Sequence, residues 1–254
     1  MATIFSIVNQ RDGVGKTTTA VNLALCLGLF EKETLLVDCD PQGEASACLV
    51  TEHENGDKPH TLYRALSGGS LPPALIRDSV LDFLKVMPAH IDLFQAEQQF
   101  PGTAGREGAL RELLKRVRSS FDYIIIDAPS SLGYLTTAAI VAADALIVPV
   151  ECRDGALRHL GYLLKTVTRL RKQFNPAMRI SGIVFTKCDS DDEIYRQFPA
   201  ASYESIRDIV FSTTIGRSSR MAHAGPDRQS LILQDIMADV SADYLDLAAA
   251  LAEQ

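Results

Sequence analysis

The sequence predicts an α/β fold, with one doubly wound, mostly parallel sheet and helices on both faces. Three observations predict it. Continuous apolar runs at residues 4–8, 34–37, 123–126, 145–150 and 180–185 do not alternate with polar residues, as strands buried on both faces require. Helical patterns lie between and after them, at about 15–30, 106–118, 131–142 and 155–174. Finally, the first run opens into a glycine-containing loop, and the second and third end in carboxylates. Ligand sites of open α/β sheets lie at those strand ends.

The first run leads into Asn9-Gln10-Arg11-Asp12-Gly13-Val14-Gly15-Lys16-Thr17-Thr18-Thr19. Val21, Leu23, Ala24, Leu25 and Leu27 then supply a helix to pack behind it. Strand, glycine loop, Lys-Thr and helix form a cradle of backbone N–H groups for a polyphosphate. The nucleotide-binding stretch is accordingly Asp12, Gly13, Val14, Gly15, Lys16, Thr17 and Thr18. Gly13 and Gly15 let the backbone approach phosphate closely. Lys16 reaches the β- and γ-phosphates, and the Thr17 hydroxyl is placed for Mg²⁺. The usual loop has a glycine five residues before Gly15; this chain has Gln10 there.

The second run ends in Asp38-Cys39-Asp40-Pro41-Gln42-Gly43. Carboxylates two residues apart on a strand share one side of it. Asp40 is the candidate to orient an attacking water, and Asp38 to support a metal's water shell. Taken alone, a solvated turn at a strand end would read the same way. The third run ends in Asp127-Ala128-Pro129, an apolar strand closed by one carboxylate, as where Asp holds Mg²⁺ directly or through water. Thr17, Asp38 and Asp127 form the metal set. The three strand ends together point to a nucleotide hydrolase that uses Mg²⁺.

The fifth run ends in Thr186-Lys187-Cys188-Asp189, which resembles the Asn-Lys-x-Asp element with which GTPases read guanine, with Thr186 in place of Asn. Thr186 and Lys187 join the nucleotide-binding set. The base, adenine or guanine, stays open at this element. Residues 51–60 and 68–73 are polar or turn-rich surface loops. With no internal repeat and no low-complexity tract, residues 1–254 read as a single domain.

Composition limits the partners. The formal charge of −7 argues against a protein coated in nucleic acid, yet allows a local basic patch. Cys26, Cys39, Cys48, Cys152 and Cys188 lack ligand spacing and read as buried, reduced thiols. No leader pattern and no run of about 18 apolar residues is present, so the chain reads as cytosolic. Arg217, Arg220 and Arg228 form one basic group, and phosphate contact needs only positive charge. Arg169, Arg171 and Lys172 instead suit the C-terminal end of a helix dipole. Residues 239–254 are amphipathic and acidic, which disfavours a membrane-surface helix. Tyr244, Leu245, Leu247, Ala248 and Leu251 are its core-facing side.

The loop at 11–17, the Asp-x-Asp-Pro-Gln-Gly motif at 38–43, residues 61–93 and residues 143–150 together resemble the ParA/MinD ATPases with a deviant Walker A loop. The short chromosomal ParA (Soj) form is the better match, since no extra DNA-binding segment precedes the loop. The resemblance implies a slow ATPase, with ATP and Mg²⁺ as cofactors and GTP left open. It also implies a nucleotide sandwich dimer that binds DNA nonspecifically, with Arg217 and Arg220 the candidates for DNA phosphates. A ParB-like or cargo-adaptor protein then activates hydrolysis, and the whole positions DNA or other cargo in the cytoplasm, on the nucleoid in the ATP state.

Two residues depart from the family's Lys-Gly-Gly-x-Gly-Lys-Thr pattern. Arg11 stands where that family has the lysine that reaches across the dimer. It remains cationic, differs in shape, and joins the catalytic set with Lys16 and Asp40 as a finger supplied in trans. Asp12 replaces a glycine and brings negative charge near phosphate oxygens. Two unit charges about 4 Å apart interact by about 4 kcal/mol at an effective dielectric of ~20. Asp12 is therefore expected to weaken dimer closure, unless it points outward and Arg11 offsets it. A metabolic ligase on the same scaffold and a degenerate nucleotide-binding scaffold are the alternatives. An iron–sulfur reductase is disfavoured, because residues 129–133 contain no cysteine.

Overall fold

The computed structural model describes residues 1–51, 60–69, 72–153, 156–189, 206–217 and 231–253. Among them, eight strands form one sheet: β1 Thr3–Ile7, β2 Thr34–Asp38, β3 Arg77–Asp78, β4 Leu84–Met87, β5 Tyr123–Asp127, β6 Ala145–Glu151, β7 Arg179–Cys188 and β8 Ile215–Gly216. Their spatial order is β3-β4-β2-β5-β1-β6-β7-β8. Every pairing is parallel except that of β3 with β4. From β1 the chain passes to β2 on one side and later reaches β6 on the other. That reversal opens a crevice at the C-terminal end of β1.

The helices are α1 Lys16–Leu29, α2 Glu44–Leu49, α3 Leu62–Leu66, α4 Leu93–Gln99, α5 Ala109–Lys115, α6 Tyr134–Ala142, α7 Ala156–Phe174, α8 Leu231–Gln234 and α9 Asp239–Ala252. Side chains from α1, α2, α8 and α9 pack on one face of the sheet, and those from α3 to α7 on the other. Helix α1 lies between the sheet and α9, so every residue from Thr19 to Gly28 is buried. This is why its sequence is apolar nearly all round. Fully burying one such Leu or Ile contributes roughly 1.5–3 kcal/mol. Tyr244 of α9, fully buried, meets the Thr19 hydroxyl of α1 at 3.4 Å.

The expected strands and helices appear, with differences that have local causes. The pattern at 106–118 breaks into a 3₁₀ turn at Arg106–Gly108, α5, and a second 3₁₀ turn at Arg118–Ser120. Residues 131–133 belong to the loop before α6, because Gly133 sits in extended conformation at its N-cap. Pro72–Leu75 is a 3₁₀ turn rather than loop. Of the 51–60 loop, residues 52–59 lie outside the described residues, as do Arg220 and Arg228. In α9, Tyr244, Leu247, Ala248 and Leu251 face the core as expected, joined by Val240, while Leu245 is only half-buried. All five cysteines are thiols, and all but Cys48 are buried. Among the described residues no helix is long and apolar enough to cross a membrane.

Candidate functional site

The loop after β1 reaches the helix through two left-handed residues, Gly13 at φ 73° and Gly15 at φ 86°. A side chain at either position would strain the backbone. Asp12, by contrast, is not among the residues with positive φ, so its Cβ carries no conformational cost. The glycine that the resemblance places there is not required by the backbone. Asp12 is exposed and Arg11 half-buried. The Arg11 amide donates to Asn9 Oδ1 at 3.0 Å, and the Asn9 amide nitrogen is pinned to the Pro149 carbonyl at 2.7 Å. The loop is thereby anchored to β6.

Lys16, the first residue of α1, is buried, and its Nζ donates to the Arg11 carbonyl at 2.9 Å. Burial lowers its pKa, opposed by Asp127, Asp12 and Asp40 in that order. The ammonium is thus held in its own loop by the carbonyl that closes the cradle. On the far side, the Thr186 hydroxyl donates to the Val14 carbonyl at 2.9 Å and Lys187 Nζ to the Gly13 carbonyl at 2.5 Å. Lys187 takes a left-handed φ of 57°, and Arg217 Nη2 donates to its carbonyl at 3.1 Å. The end of β7 therefore clips the phosphate loop from one side.

Asp38 and Asp127 are register partners at the ends of β2 and β5, both fully buried. Their surroundings differ. Asp38 accepts from the Asp40 amide at 3.0 Å, the Ser46 amide at 2.8 Å and the Ser46 hydroxyl at 2.6 Å. Burial still outweighs these donors and pushes its pKa up to about 6. Ser46 Oγ in turn accepts from the Ala89 amide at 2.9 Å, which ties α2 to the segment after β4. Asp38, expected as support for a metal's water shell, also holds α2 and the turn at Asp40.

Both oxygens of Asp127 are buried and make no hydrogen bond of good geometry, although the Thr17 hydroxyl is close enough to act on them. Burial and then the Asp38 charge raise its pKa well above the usual carboxylate range, while the Thr17 hydroxyl and Lys16 pull the other way. A desolvated anion without partners is costly unless a cation joins it. Asp127 with the Thr17 hydroxyl offers hard oxygen donors of the kind Mg²⁺ takes, and Mg²⁺ usually completes its shell with water and nucleotide oxygens. The donor set fits that ion. Among the described residues no group of three His, Cys, Asp or Glu side chains forms a cage of its own.

A cleft of about 720 Å³ joins these parts. Of the residues expected from sequence, Asp12, Gly13, Gly15, Lys16, Thr17, Thr18, Asp40, Thr186, Lys187 and Arg217 line it. Val14, Asp38 and Asp127 are buried behind it and do not line it, and neither does Arg11. Arg217, expected at DNA, sits at the cleft's rim, with Nε on Asp189 Oδ1 at 2.9 Å. Gln42, Glu44, Ser130 and Tyr244 also line the cleft. Gln42 was visible within the Asp-x-Asp-Pro-Gln-Gly motif. Ser130 follows Asp127 by three residues, whereas nothing local marks Tyr244, which reaches the cleft from the C-terminal helix.

A family model described as an AAA domain matches residues 2–180. The sporulation initiation inhibitor protein Soj of Bacillus subtilis strain 168 is 38% identical over 248 residues, covering 98% of this chain and 97% of Soj. The chain belongs to the ParA/MinD family of P-loop ATPases. The chromosome partitioning protein ParA of Myxococcus xanthus is 37% identical over 96% of this chain and 86% of its own. Among solved structures, cobyrinic acid a,c-diamide synthase of Mycobacterium smegmatis, with bound ADP and magnesium, superposes with a TM-score of 0.80 at 30% identity. That match covers 99% of this chain and 94% of the synthase. In this ParA/MinD-type ATPase, the loop at 11–17 and the strand ends at Asp38 and Asp127 follow three neighbouring parallel strands, β1, β2 and β5.

Proposed function

We propose that the chain is an ATP-driven switch of the ParA type, working as one domain. It binds ATP with Mg²⁺ in the cleft, pairs with a second copy across the nucleotides, and in that state binds DNA without sequence preference. A ParB-like or cargo-adaptor protein stimulates its slow hydrolysis to ADP and phosphate. It serves to position DNA or other large cargo in the cytoplasm, on the nucleoid while ATP is bound. The observation that carries the chemistry is the Asp127 carboxylate, buried and without a well-formed hydrogen bond beside Lys16 and Thr17. The near full-length likeness to Soj and ParA supports the role.

Each residue then has a task. Gly13 and Gly15 turn backbone N–H groups toward the phosphates, and Lys16 exchanges the Arg11 carbonyl for phosphate oxygens. Thr17 and Asp127 would hold Mg²⁺, which when bound neutralises charge on the β- and γ-phosphate oxygens. Asp40, whose Oδ1 accepts from the Gln42 amide at 2.9 Å, orients the attacking water. Arg11, outside its own cleft, is available to the partner's phosphates. Arg217 and Arg220 meet DNA phosphates, with Arg217 also bordering the nucleotide.

Sedimentation velocity with ATP–Mg²⁺, with ADP–Mg²⁺ and with duplex DNA tests this. Dimers formed with ATP alone, DNA binding confined to that state, and hydrolysis raised by DNA or a partner peptide are expected. A monomer under every condition contradicts it. The likeness to an amide-forming synthase favours one second reading, an ATP-dependent ligase. Turnover raised by a small carboxylic acid and an amine, and not by DNA, would establish that reading instead.

A further inference from the structure

The N-terminus of α6 is capped by a side chain from another element. Gly133 at the N-cap offers no side chain. Glu97 of α4 takes its place: Oε2 accepts from the Tyr134 amide at 2.7 Å and Oε1 from the Leu135 amide at 3.0 Å. A carboxylate spanning the first two amides of a helix gains both charge-assisted bonds and the dipole. The fit is close, because a Cβ on Gly133 would lie 2.1 Å from Glu97 Oε2.

The same turn of α6 also holds the loop in front of it. Thr136 Oγ1 lies 2.6 Å from the Ser131 carbonyl and 3.0 Å from the Pro129 carbonyl, with one hydroxyl proton to share between them. The Tyr134 hydroxyl donates to the Arg106 carbonyl at 2.9 Å. Ser130, between the two carbonyls that Thr136 holds, lines the nucleotide cleft. Asp127 ends the strand just before. A local Ser or Asp at the N-cap would satisfy α6 alone. A cap from α4 ties the loop to an element whose Leu93 and Ala96 are fully buried in the core.

We propose that Glu97 is a positioning residue for ATP hydrolysis, holding the loop of Ser130 against the cleft through the first turn of α6. The idea rests on the ATPase reading. In that reading Glu97 touches neither nucleotide nor metal. Its removal lets the loop drift and slows the chemical step, while the phosphate cradle that binds ATP stays intact.

The test compares wild type with Glu97→Ala, Glu97→Gln and Gly133→Ala, with Gln98→Ala as an exposed control on the same helix. In nucleotide-free protein, hydrogen exchange of the Tyr134 and Leu135 amides should quicken about tenfold in Glu97→Ala, as loss of a charge-assisted bond implies. For hydrolysis, kcat should fall by about tenfold or more while KM for ATP–Mg²⁺ moves less than about threefold. Glu97→Gln keeps one acceptor oxygen and should fall between. Gly133→Ala should reproduce the Glu97→Ala defect, and the double variant should add little to either. Unchanged exchange in Glu97→Ala, or kcat within about twofold of wild type, overturns the proposal. So does a kcat loss that merely follows the folded fraction in thermal melts. A wild type that hydrolyses no ATP sinks the ATPase reading instead, and exchange in the nucleotide-free protein then judges the clip by itself.

Discussion

Asp38 and Asp127 stand side by side at the ends of β2 and β5, the first with three hydrogen-bond donors and the second with none of good geometry. Neighbouring strands end in the same residue type, yet their roles separate. The Asp38 carboxylate fixes α2 and the Asp40 turn, whereas the Asp127 carboxylate makes no well-formed hydrogen bond. The predictions below follow from that division and from the loop facing it.

Asp127→Asn should stabilise the nucleotide-free protein while abolishing hydrolysis. Because the folded-state pKa is raised, the folded protein binds more protons than the unfolded chain between the ordinary carboxylate range and the raised value. Stability there falls as pH rises. Asn carries no such cost, so its advantage should grow as pH rises above the ordinary carboxylate range and reach on the order of 1–3 kcal/mol. Asp38, pushed to about 6, acts with the same sign in both proteins. Thermal melts from that range upward check this; an advantage that shrinks with rising pH contradicts it.

Lys16→Ala removes the buried cation at the start of α1. Hydrolysis should drop on the order of 10²–10³-fold, with weaker ATP binding by calorimetry and an unchanged melting temperature. Retained turnover would place the chemistry elsewhere.

Asp12→Gly should strengthen ATP-dependent dimerisation. The exposed carboxylate lines the cleft and acts on Lys16, and its backbone shows no strain to be relieved by glycine. Any gain is therefore electrostatic and should fade at high salt. Sedimentation equilibrium of both proteins with ATP–Mg²⁺ decides it, and identical dimer constants end the idea.

Gly182→Ala tests packing far from the chemistry. A Cβ there would lie 2.4 Å from the Phe211 ring, in the sheet between β6 and the segment before β8. The ring must shift, at a cost of about 1–3 kcal/mol, with KM and kcat preserved. Chemical denaturation reads the cost directly, and an unchanged midpoint would contradict it.

Much of this was legible in the chain. The five long strands announced themselves because a parallel sheet covered on both faces needs unbroken apolar runs, as in Ile124-Ile125-Ile126. Strand β4 did not, since Leu84-Lys85-Val86-Met87 is short and broken by a lysine that pairs with Asp78 at the sheet's edge. Strands β3 and β8, two residues each, carry no periodicity to find. The phosphate loop, Asp40 and Asp127 were visible because their spacing is local. The division between Asp38 and Asp127 depends on Ser46, and the clip on α6 depends on Glu97, 37 residues from Tyr134. Such contacts are products of tertiary packing, and no local pattern records them.

The central claim is that Asp127, Lys16 and Thr17 together bind ATP as its magnesium complex. Isothermal titration of ATP into wild type and Asp127→Asn, each with Mg²⁺ and with chelator, tests it most directly. Binding by wild type that tightens with Mg²⁺, and a Mg²⁺ effect lost in Asp127→Asn, is the predicted result. Equal affinity with and without Mg²⁺ in both proteins, or no heat at all, would contradict it.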